Sequence, residues 1–486
     1  MQKWEIKIEN MSLGGYAPAW WKSSYPSYGN KNMAGAMRGI DMTDPAGMTQ
    51  GPGMAALTNG TSTVVTTYIK SILDKAVTAN LTYAIGGAKL YSLSATTVTN
   101  TSPFPHTIDK AVVTAEDGED VAHFNGALYY SYNNNTDGDI GKYDLTSTFD
   151  DDWGSTVPAT GATALQKGVP HQFAQSAEFL YTTNGQYVTK YDATNDIMTE
   201  QGLDLPIGSE AQSHVINNDR LFIAVNEPDL AGANKSKGSI YKWDRFSSSW
   251  DPDSIFGLGR VGALYNKDGV TFVFHQDITS TGGYHLGYID GTQVKNVASY
   301  EGSLPQYYQV TEVEGFIVWY SSGAGLYAWG SGTSSLPTRL FSYLFHTYAF
   351  SVAAPFGTLL IASTEDAYRL AKASGYATTN CFWKSIMYDI STGIRNRGFI
   401  NKVTINFDTL KTNARTDVTL TCDEGGSSWG GTTTGRISHT GDGAVTQKTF
   451  FPKKMAKDFR LEFDYTYGNS TNNVKIKSVI IDGHTL

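Results

Sequence analysis

The stretch EFLYTTNGQYVTKYDAT (178–194) decides the fold class of this chain. It contains an apolar strand, a short polar turn, and a second strand that carries Tyr and closes with Asp. Related units recur at intervals of ~40–50 residues between Leu81 and Leu370, and a repeat of that length is typical of propeller blades, each a sheet of four short strands. The sequence therefore predicts an all-β protein built around a degenerate β-propeller.

Seven such units follow one another along the chain. In each, a Gly or polar turn precedes an apolar strand, and the strand after it carries an aromatic residue. The units occupy residues 81–94, 126–145, 178–194, 219–244, 269–290, 315–330 and 357–370. A lone hairpin cannot bury both of its faces, so neighbouring blades have to stack and close into a ring. We expect seven blades, with six as the alternative if the first or last unit belongs to a separate element.

The regions on either side of the repeat differ from it in composition and in strand pattern. Residues 1–62 are aromatic and rich in turn residues, which predicts an extended N-terminal arm that packs on its own propeller or on a neighbouring subunit. The propeller is predicted to span 63–388, within which 64–77 could be a helix or an outer strand. Residues 389–486 form long alternating strands, which predict a β-sandwich of jelly-roll type. The aromatic residues expected to act in assembly through the arm are Tyr16, Trp20, Trp21, Tyr25 and Tyr28.

The composition excludes several classes of protein. The 486 residues carry a net charge of −9, which argues against a surface whose main task is to grip phosphate backbones. Cys381 and Cys422 are too far apart in sequence for a zinc motif or a disulfide framework. The start has no basic segment followed by an apolar one, and Pro355 and Gly357 interrupt the longest apolar run, so neither a signal peptide nor a membrane span is expected.

One loop has the spacing of a cation site. In NNNTDGDIGKYD (133–144), four oxygen-bearing side chains fall at positions 1, 3, 5 and 12 of a calcium loop, namely Asn133, Asn135, Asp137 and Asp144. The first is Asn instead of Asp and the last is Asp instead of the longer Glu, so affinity for Ca²⁺ would be low. A polar hairpin loop is the favoured alternative, and no other cofactor is expected.

No catalytic constellation emerges. The GSSWG stretch (426–430) matches the nucleophile motif around Ser428, but no helix follows it, as a nucleophile elbow would require. The acidic clusters at 116–120 and 150–152 are expected to lie in turns and to accept backbone hydrogen bonds. His123, His171 and His214 each precede or begin a unit and are expected to be structural. The sequence therefore predicts a protein that is not an enzyme.

Two stretches resemble a known family. RGIDMTDPAGMTQGPGMAALTNG (38–60) resembles the arm that precedes the propeller in structural proteins of tailed-bacteriophage virions. WKSIMYDISTGIRNRGFINKVTINFDTLKTNARTDVTLTCDEGGSSW (383–429) resembles the sandwich that follows it. The whole plan is similar to the propeller tail-nozzle family of short-tailed phages.

The resemblance implies a function and a location. Such a protein would be made in the host cytoplasm and reside in the virion tail as a homo-oligomeric ring, often sixfold. It would bind an adaptor, the portal or other tail proteins and line the route of DNA exit, where an acidic wall lets DNA slide without sticking. The alternative is a receptor- or glycan-binding tail protein at the host surface, because Tyr and Trp stack on sugars and anchor interfaces.

Overall fold

A computed structural model describes most of the 486 residues. The described ranges are 3–16, 32–57, 67–99, 101–109, 116–134, 136–156, 165–228, 236–278, 283–333, 335–345, 348–363, 370–377, 381–390, 398–422, 428–429, 435–465 and 471–485. Strands dominate these ranges. Helical segments within them are short: Met11–Leu13 and Tyr307–Gln309 are 3-10 turns, and Trp153–Thr156 and His439–Asp442 are single α-turns.

Seven four-stranded antiparallel sheets form the propeller, and the strands of each sheet are named from the innermost to the outermost. Blade 1 is Ser71–Ile72, Thr82–Gly86, Lys89–Leu93 and His106–Thr107; blade 2 is Asp117–Phe124, Ala127–Asn133, Gly138–Tyr143 and Phe149–Asp150; blade 3 is Phe173–Gln175, Phe179–Asn184, Tyr187–Asp192 and Ile197–Asp204. Blade 4 is Glu210–Asn217, Arg220–Glu227, Lys237–Trp243 and Ile255–Leu258; blade 5 is Val261–Lys267, Val270–Gln276, Tyr284–Asp290 and Gln293–Tyr300. Blade 6 is Val310–Val313, Phe316–Ser321, Gly325–Gly330 and Arg339–Leu344; blade 7 is Ala349–Ala353, Leu360–Ser363, Leu370–Tyr376 and Pro52–Ala56.

The ring closes through blade 7. Its first three strands are consecutive, but its outermost strand is Pro52–Ala56, which pairs antiparallel with Leu370–Tyr376. The innermost strands contact one another around the whole ring, including Ala349–Ala353 of blade 7 against Ser71–Ile72 of blade 1. The prediction of a seven-bladed propeller is confirmed, and the strand couplets of the predicted units correspond to the second and third strands of the seven blades. In the segment left open at 64–77, the described residues contain the strand Ser71–Ile72 and no helix.

The Asp that closes many units has a local structural role. Asp192 Oδ1 accepts hydrogen bonds from the amides of Thr194 and Asn195, at 2.9 and 3.1 Å. Asp244 Oδ1 does the same in blade 4, at 2.8 Å from the amides of both Phe246 and Ser247. A carboxylate that satisfies the backbone donors of the following turn ends the third strand at a defined residue. The recurring aromatic–Asp pattern is thus a strand followed by its turn.

The remaining strands form two packed sheets, the predicted sandwich. One sheet orders Lys3–Ile8, Ile476–Thr485, Gly398–Phe407 and Gln447–Phe450, with Lys454–Ala456 also paired to Gly398–Phe407. The other orders Ala34–Arg38, Phe382–Ser385, Asp458–Asp464, Arg415–Cys422 and Ser428–Trp429, with Tyr388–Asp389 and Arg436–Ser438 paired alongside. A short pair, Ile40–Asp41 with Thr49–Gln50, precedes the strand that closes blade 7. The basic stretch at 453–460 contributes to two of these strands, Lys454–Ala456 and Asp458–Asp464.

The described part of the N-terminal region is therefore built into both bodies. Two of its strands belong to the sandwich and a third completes the propeller, so the predicted boundary at residue 62 does not separate a structural unit. Likewise, Phe382–Ser385 lies before the predicted boundary at 388 but already pairs within the sandwich. The structure differs from the expected arm because its strand partners lie hundreds of residues further along the chain.

A single hydrophobic core joins the two bodies. It runs from Phe316 and Phe341 in blade 6 to Trp383 and Phe463 in the sandwich. Polar contacts reinforce this junction: Gln50 Nε2 donates to the carbonyl oxygens of Ala377, at 2.8 Å, and Tyr465, at 3.2 Å. Propeller and sandwich therefore share one buried core.

Candidate functional site in the axial channel

The innermost strands surround an axial cavity of about 530 Å³. Every blade contributes to its wall, and one lining residue from each blade or its adjoining loop is, in ring order, Asp74, Asp120, Gln172, His214, Tyr265, Val310 and Val352. A cavity of this size accommodates a small molecule. It is far too small to serve as a passage for duplex DNA.

Asp120 connects three blades. It lies on the innermost strand of blade 2, where one carboxylate oxygen accepts from Ser71 Oγ of blade 1 at 2.6 Å and the other from the Phe173 amide of blade 3 at 2.7 Å. Burial raises the pKa of Asp120 to about 7, although the hydrogen bonds from Ser71 and Phe173 oppose that rise. The carboxylate is held as a link between neighbouring innermost strands.

Asp74 makes the corresponding link at the closure of the ring. Its Oδ1 accepts from Thr311 Oγ1 of blade 6 and from the Ala354 amide beside blade 7, both at 2.7 Å. Burial raises the pKa of this carboxyl as well, against the effect of those two donors. Asp74 follows the innermost strand of blade 1, so one half-buried carboxylate ties the first blade to the last two.

Uncharged side chains continue the same pattern around the channel. Gln172 Oε1 accepts from the His214 amide at 2.7 Å, which joins blades 3 and 4. Ser213 Oγ accepts from the Leu264 amide at 3.0 Å, which joins blades 4 and 5. Buried polar groups are stable only when they are hydrogen-bonded, and in this channel the partner usually belongs to the adjacent blade.

A smaller polar cavity, of about 270 Å³, adjoins the channel and shares Tyr307 and Tyr308 with its lining. Glu119 is central to it: its carboxylate pairs with Lys70 and accepts from Asn133 Nδ2 at 2.6 Å. Burial raises the pKa of Glu119, and the Lys70 ammonium counteracts this. Tyr307, on the loop before blade 6, donates its hydroxyl hydrogen to the Glu119 carbonyl oxygen at 3.2 Å across the channel. This carboxylate, too, is committed to partners of the chain itself.

Burial lowers the pKa of all three histidines that the sequence singled out. His171 is fully buried, with Nε2 at 2.8 Å from the Gln166 carbonyl oxygen, and burial lowers its pKa to about 4. His214 is also fully buried, and burial lowers its pKa to about 3, so both are neutral near pH 7. Burial lowers the pKa of the half-buried His123 too. Neutral rings on or beside the innermost strands fit the structural role expected from the sequence.

The calcium-loop interpretation does not fit the structure. Asn133 is the last residue of one strand, and the whole strand Gly138–Tyr143 separates Asp137 from Asp144. Asn133 is occupied by Glu119 and by the Gly168 amide, and Asp144 Oδ1 accepts from the amides of residues 146–148. Asn135 lies outside the described residues. The spacing matched a cation loop, but the hairpin places its first and last ligands at opposite ends of a strand.

Of the five aromatic residues expected to act in assembly, the described part of the chain includes Tyr16. Tyr16 packs against Tyr327 of blade 6, with ring centroids 6.3 Å apart, and its amide donates to the Leu340 carbonyl oxygen at 2.7 Å. The side chains of Trp20, Trp21, Tyr25 and Tyr28 lie outside the described residues. Tyr16 also forms a bridge with Ala34, so the chain leaves and re-enters the described structure at adjacent points.

Other sequence candidates resolve as structural features. The backbone of Ser428–Trp429 is a strand paired with Arg415–Cys422, not a strand-to-helix elbow. The acidic cluster at 116–120 lies mostly in a strand, contrary to the expected turn. Cys381 and Cys422 are buried, and burial raises the pKa of Cys381 to about 12.

The sequence did not single out Asp74 and Asp120 as channel residues. Their partners belong to other blades, so no local motif marks them. The sequence feature that comes closest to marking them is a carboxylate next to a very short apolar segment, as in SILD (71–74). Such a pattern occurs too often by chance to identify a channel residue.

Within the described ranges, no cluster of three or more His, Cys, Asp or Glu side chains is suited to hold a metal ion. Nor do the helices of that part of the chain include one that could cross a bilayer, since the longest have four residues.

Comparison with known proteins yields similarity of structure alone. No protein-family model matches the chain, and no curated protein sequence matches it significantly. The computationally designed protein Ika8 is 12% identical with a TM-score of 0.42, and the match covers 67% of this chain and all of that one. The extracellular domain of BT4673 from B. thetaiotaomicron is 12% identical with a TM-score of 0.44, covering 80% of this chain and 46% of that one. An exo-β-1,3-galactanase from Phanerochaete chrysosporium is 11% identical with a TM-score of 0.32, covering 89% and 100%. None of these similarities identifies a function.

Proposed function

We propose that this chain is a non-enzymatic structural protein of a bacteriophage tail. In this proposal it is a ring-forming nozzle component that binds an adaptor or neighbouring tail subunits. Its subunits would together line the DNA exit route. The observation that carries the proposal is the way the N-terminal region is built into both bodies: strands Lys3–Ile8 and Ala34–Arg38 complete the sandwich, and Pro52–Ala56 closes the propeller.

This arrangement suits a part that transmits force. The strand that closes the propeller continues from the sandwich strands of the same N-terminal region. Blade 7 therefore cannot separate from the ring without losing the pairing of that strand. The continuous core between blade 6 and the sandwich adds rigidity. A tail component has to transmit force between its neighbours without changing shape, and a single rigid block does so.

The channel carboxylates support a role without catalysis. Glycoside hydrolysis uses two carboxyl groups that face a substrate across an open pocket. Asp74, Asp120 and Glu119 instead accept hydrogen bonds from neighbouring blades or pair with Lys70. The axial cavity also cannot pass DNA, so the proposed exit route has to run between subunits of a ring, along an outer face of each.

The proposal predicts that the aromatic segment following Tyr16 mediates assembly. Because Tyr16 and Ala34 are bridge partners, residues 18–31 can be replaced by a short Gly-Ser linker without separating the strands on either side. A matched control replaces residues 229–235, between the paired strands Arg220–Glu227 and Lys237–Trp243, with a linker of the same kind.

The assay is light scattering after size exclusion of the purified chain, alone and mixed with a tail adaptor protein, together with incorporation into particles. We expect the wild type and the 229–235 variant to form rings or enter particles. The 18–31 variant should melt like the wild type but remain monomeric. Normal assembly of the 18–31 variant would contradict the role of the segment, and a wild type that neither assembles nor enters particles would contradict the proposed function.

A further inference from the structure

A second cavity, of about 520 Å³, lies where blades 4, 5 and 6 meet, and it shares no lining residue with the axial channel. Its wall carries an aromatic side chain from each of the three blades: Phe222, Tyr288 and Trp329. All three are half-buried. Trp329 is fixed by an edge contact with Phe272, whose ring centroid lies 5.3 Å away. The cavity therefore presents aromatic surface that is held in place but still accessible.

Lys242 supplies a buried ammonium at the cavity. The residue is only 3% exposed, and its Nζ donates to Asp253 Oδ2 at 2.9 Å and to the Gly291 carbonyl oxygen at 2.8 Å. A lysine ammonium has three N–H donors, so a third remains for a ligand. Because Asp253 balances the charge, the cavity favours a neutral ligand over an ionic one.

Asn217 supplies an amide on the same wall. Its Nδ2 donates to the Gly269 carbonyl oxygen and to Thr271 Oγ1, both at 2.9 Å. With both amide hydrogens used in this way, Oδ1 is the acceptor that the side chain can offer. Asn217 and Lys242 each reach from blade 4 to a turn of blade 5, at Gly269 and Gly291. These hydrogen bonds hold Asn217 and Lys242 in place before any ligand binds, which lowers the entropy cost of binding.

We propose that this cavity binds the pyranose ring of a neutral saccharide. A pyranose has a C–H face that packs on an aromatic ring and hydroxyl groups that both donate and accept hydrogen bonds. Trp329 and Tyr288 are the stacking surfaces, Lys242 is a hydroxyl's donor, and Asn217 Oδ1 is a hydroxyl's acceptor. The volume is within the usual range for small-molecule sites. The inference does not depend on the proposed role in tail assembly.

The test uses the full chain and the methyl pyranosides of glucose, galactose, mannose and N-acetylglucosamine. Saturation-transfer NMR detects binding, and titration gives the dissociation constant. We expect at least one sugar to bind saturably, with a Kd of roughly millimolar. Trp329→Ala and Tyr288→Ala should each weaken binding by about tenfold or more, while Trp329→Phe, which keeps an aromatic face, should lose less.

Phe256→Ala is the matched control, because Phe256 is 56% exposed on the outermost strand of blade 4 and does not line the cavity. It should leave the Kd within about twofold of the wild type. Melting curves establish which variants fold, and Tyr288→Ala tests the proposal even if Trp329→Ala does not fold. The inference is overturned if none of the four sugars binds saturably, if folded cavity variants bind like the wild type, or if the control loses as much affinity as they do.

Discussion

Replacement of Asp120 by Asn is expected to remove a specific pH dependence from the stability of the propeller. The pKa of Asp120 is raised to about 7 in the folded chain, against ~3.9 in the unfolded chain. The folded state therefore binds the Asp120 proton more tightly than the unfolded state does. The stabilisation that this protonation gives is complete below pH ~4 and is lost as the pH rises to about 7. About three pKa units at ~1.4 kcal/mol each amount to a loss of about 4 kcal/mol in the free energy of unfolding.

The Asn side chain keeps the shape and most of the hydrogen bonds. Its Oδ1 can accept from the Phe173 amide, and its Nδ2 can donate to Ser71 Oγ, which is able to accept. It does not titrate. Asp120→Asn should therefore gain stability relative to the wild type by about 4 kcal/mol between pH 4 and pH 8. Propeller and sandwich share one core, so the unfolding unit is the whole chain of 486 residues, for which this corresponds to a relative shift in Tm of about 4 °C.

Differential scanning calorimetry of both proteins across this pH range, at constant ionic strength, measures the shift. Asp144→Asn is the control, because the backbone amides of Thr148, Ser147 and Thr146 lower the pKa of that exposed carboxyl. Its stabilising effect is therefore lost only as the pH falls below the usual value for Asp, outside most of the range. Curves of Tm against pH that run parallel for the wild type and Asp120→Asn would refute the reasoning, since they would show that Asp120 does not change its protonation preference on folding.

Four further changes test the packing. Gly141→Val should lower the free energy of unfolding by about 1–3 kcal/mol or more, because the new side chain would overlap the Tyr130 ring. Gly126→Ala should lower it by only about 1 kcal/mol, because Gly126 has open space around it and only its φ of +74° disfavours a side chain. Chemical denaturation measures both changes. Trp383→Ala should cost about 3–5 kcal/mol, because the side chain is fully buried in the shared core, and a loss below ~1 kcal/mol by the same method would contradict that placement. Deletion of residues 1–57 should abolish cooperative thermal unfolding, seen by circular dichroism, because it removes strands from the sandwich and from blade 7; a truncated chain with a sharp native-like transition would show that those strands are dispensable.

The sequence by itself determined the repeating hairpins and the long strands near the C-terminus. Alternating apolar residues, turn glycines and the closing Asp act within a few residues of one another, so each middle hairpin, such as Phe179–Asn184 with Tyr187–Asp192, has a complete local signal. The sandwich strands Gly398–Phe407 and Ile476–Thr485 could also be predicted, because each is ten residues long and shows several alternations of apolar and polar residues. Physical preferences that act locally can be read without knowing the fold.

Only the tertiary structure decided how the ring closes and what lines its axis. Pro52–Ala56 is a strand because Leu370–Tyr376 needs a partner, and that pairing spans more than three hundred residues. The innermost strand of blade 1 has only two residues, too few for a periodic pattern. The carboxylates of Asp74 and Asp120 are tolerated because donors from other blades reach them. The calcium spacing at 133–144 was misleading for the same reason: spacing along a chain becomes geometry only after strand pairing has set which residues face one another.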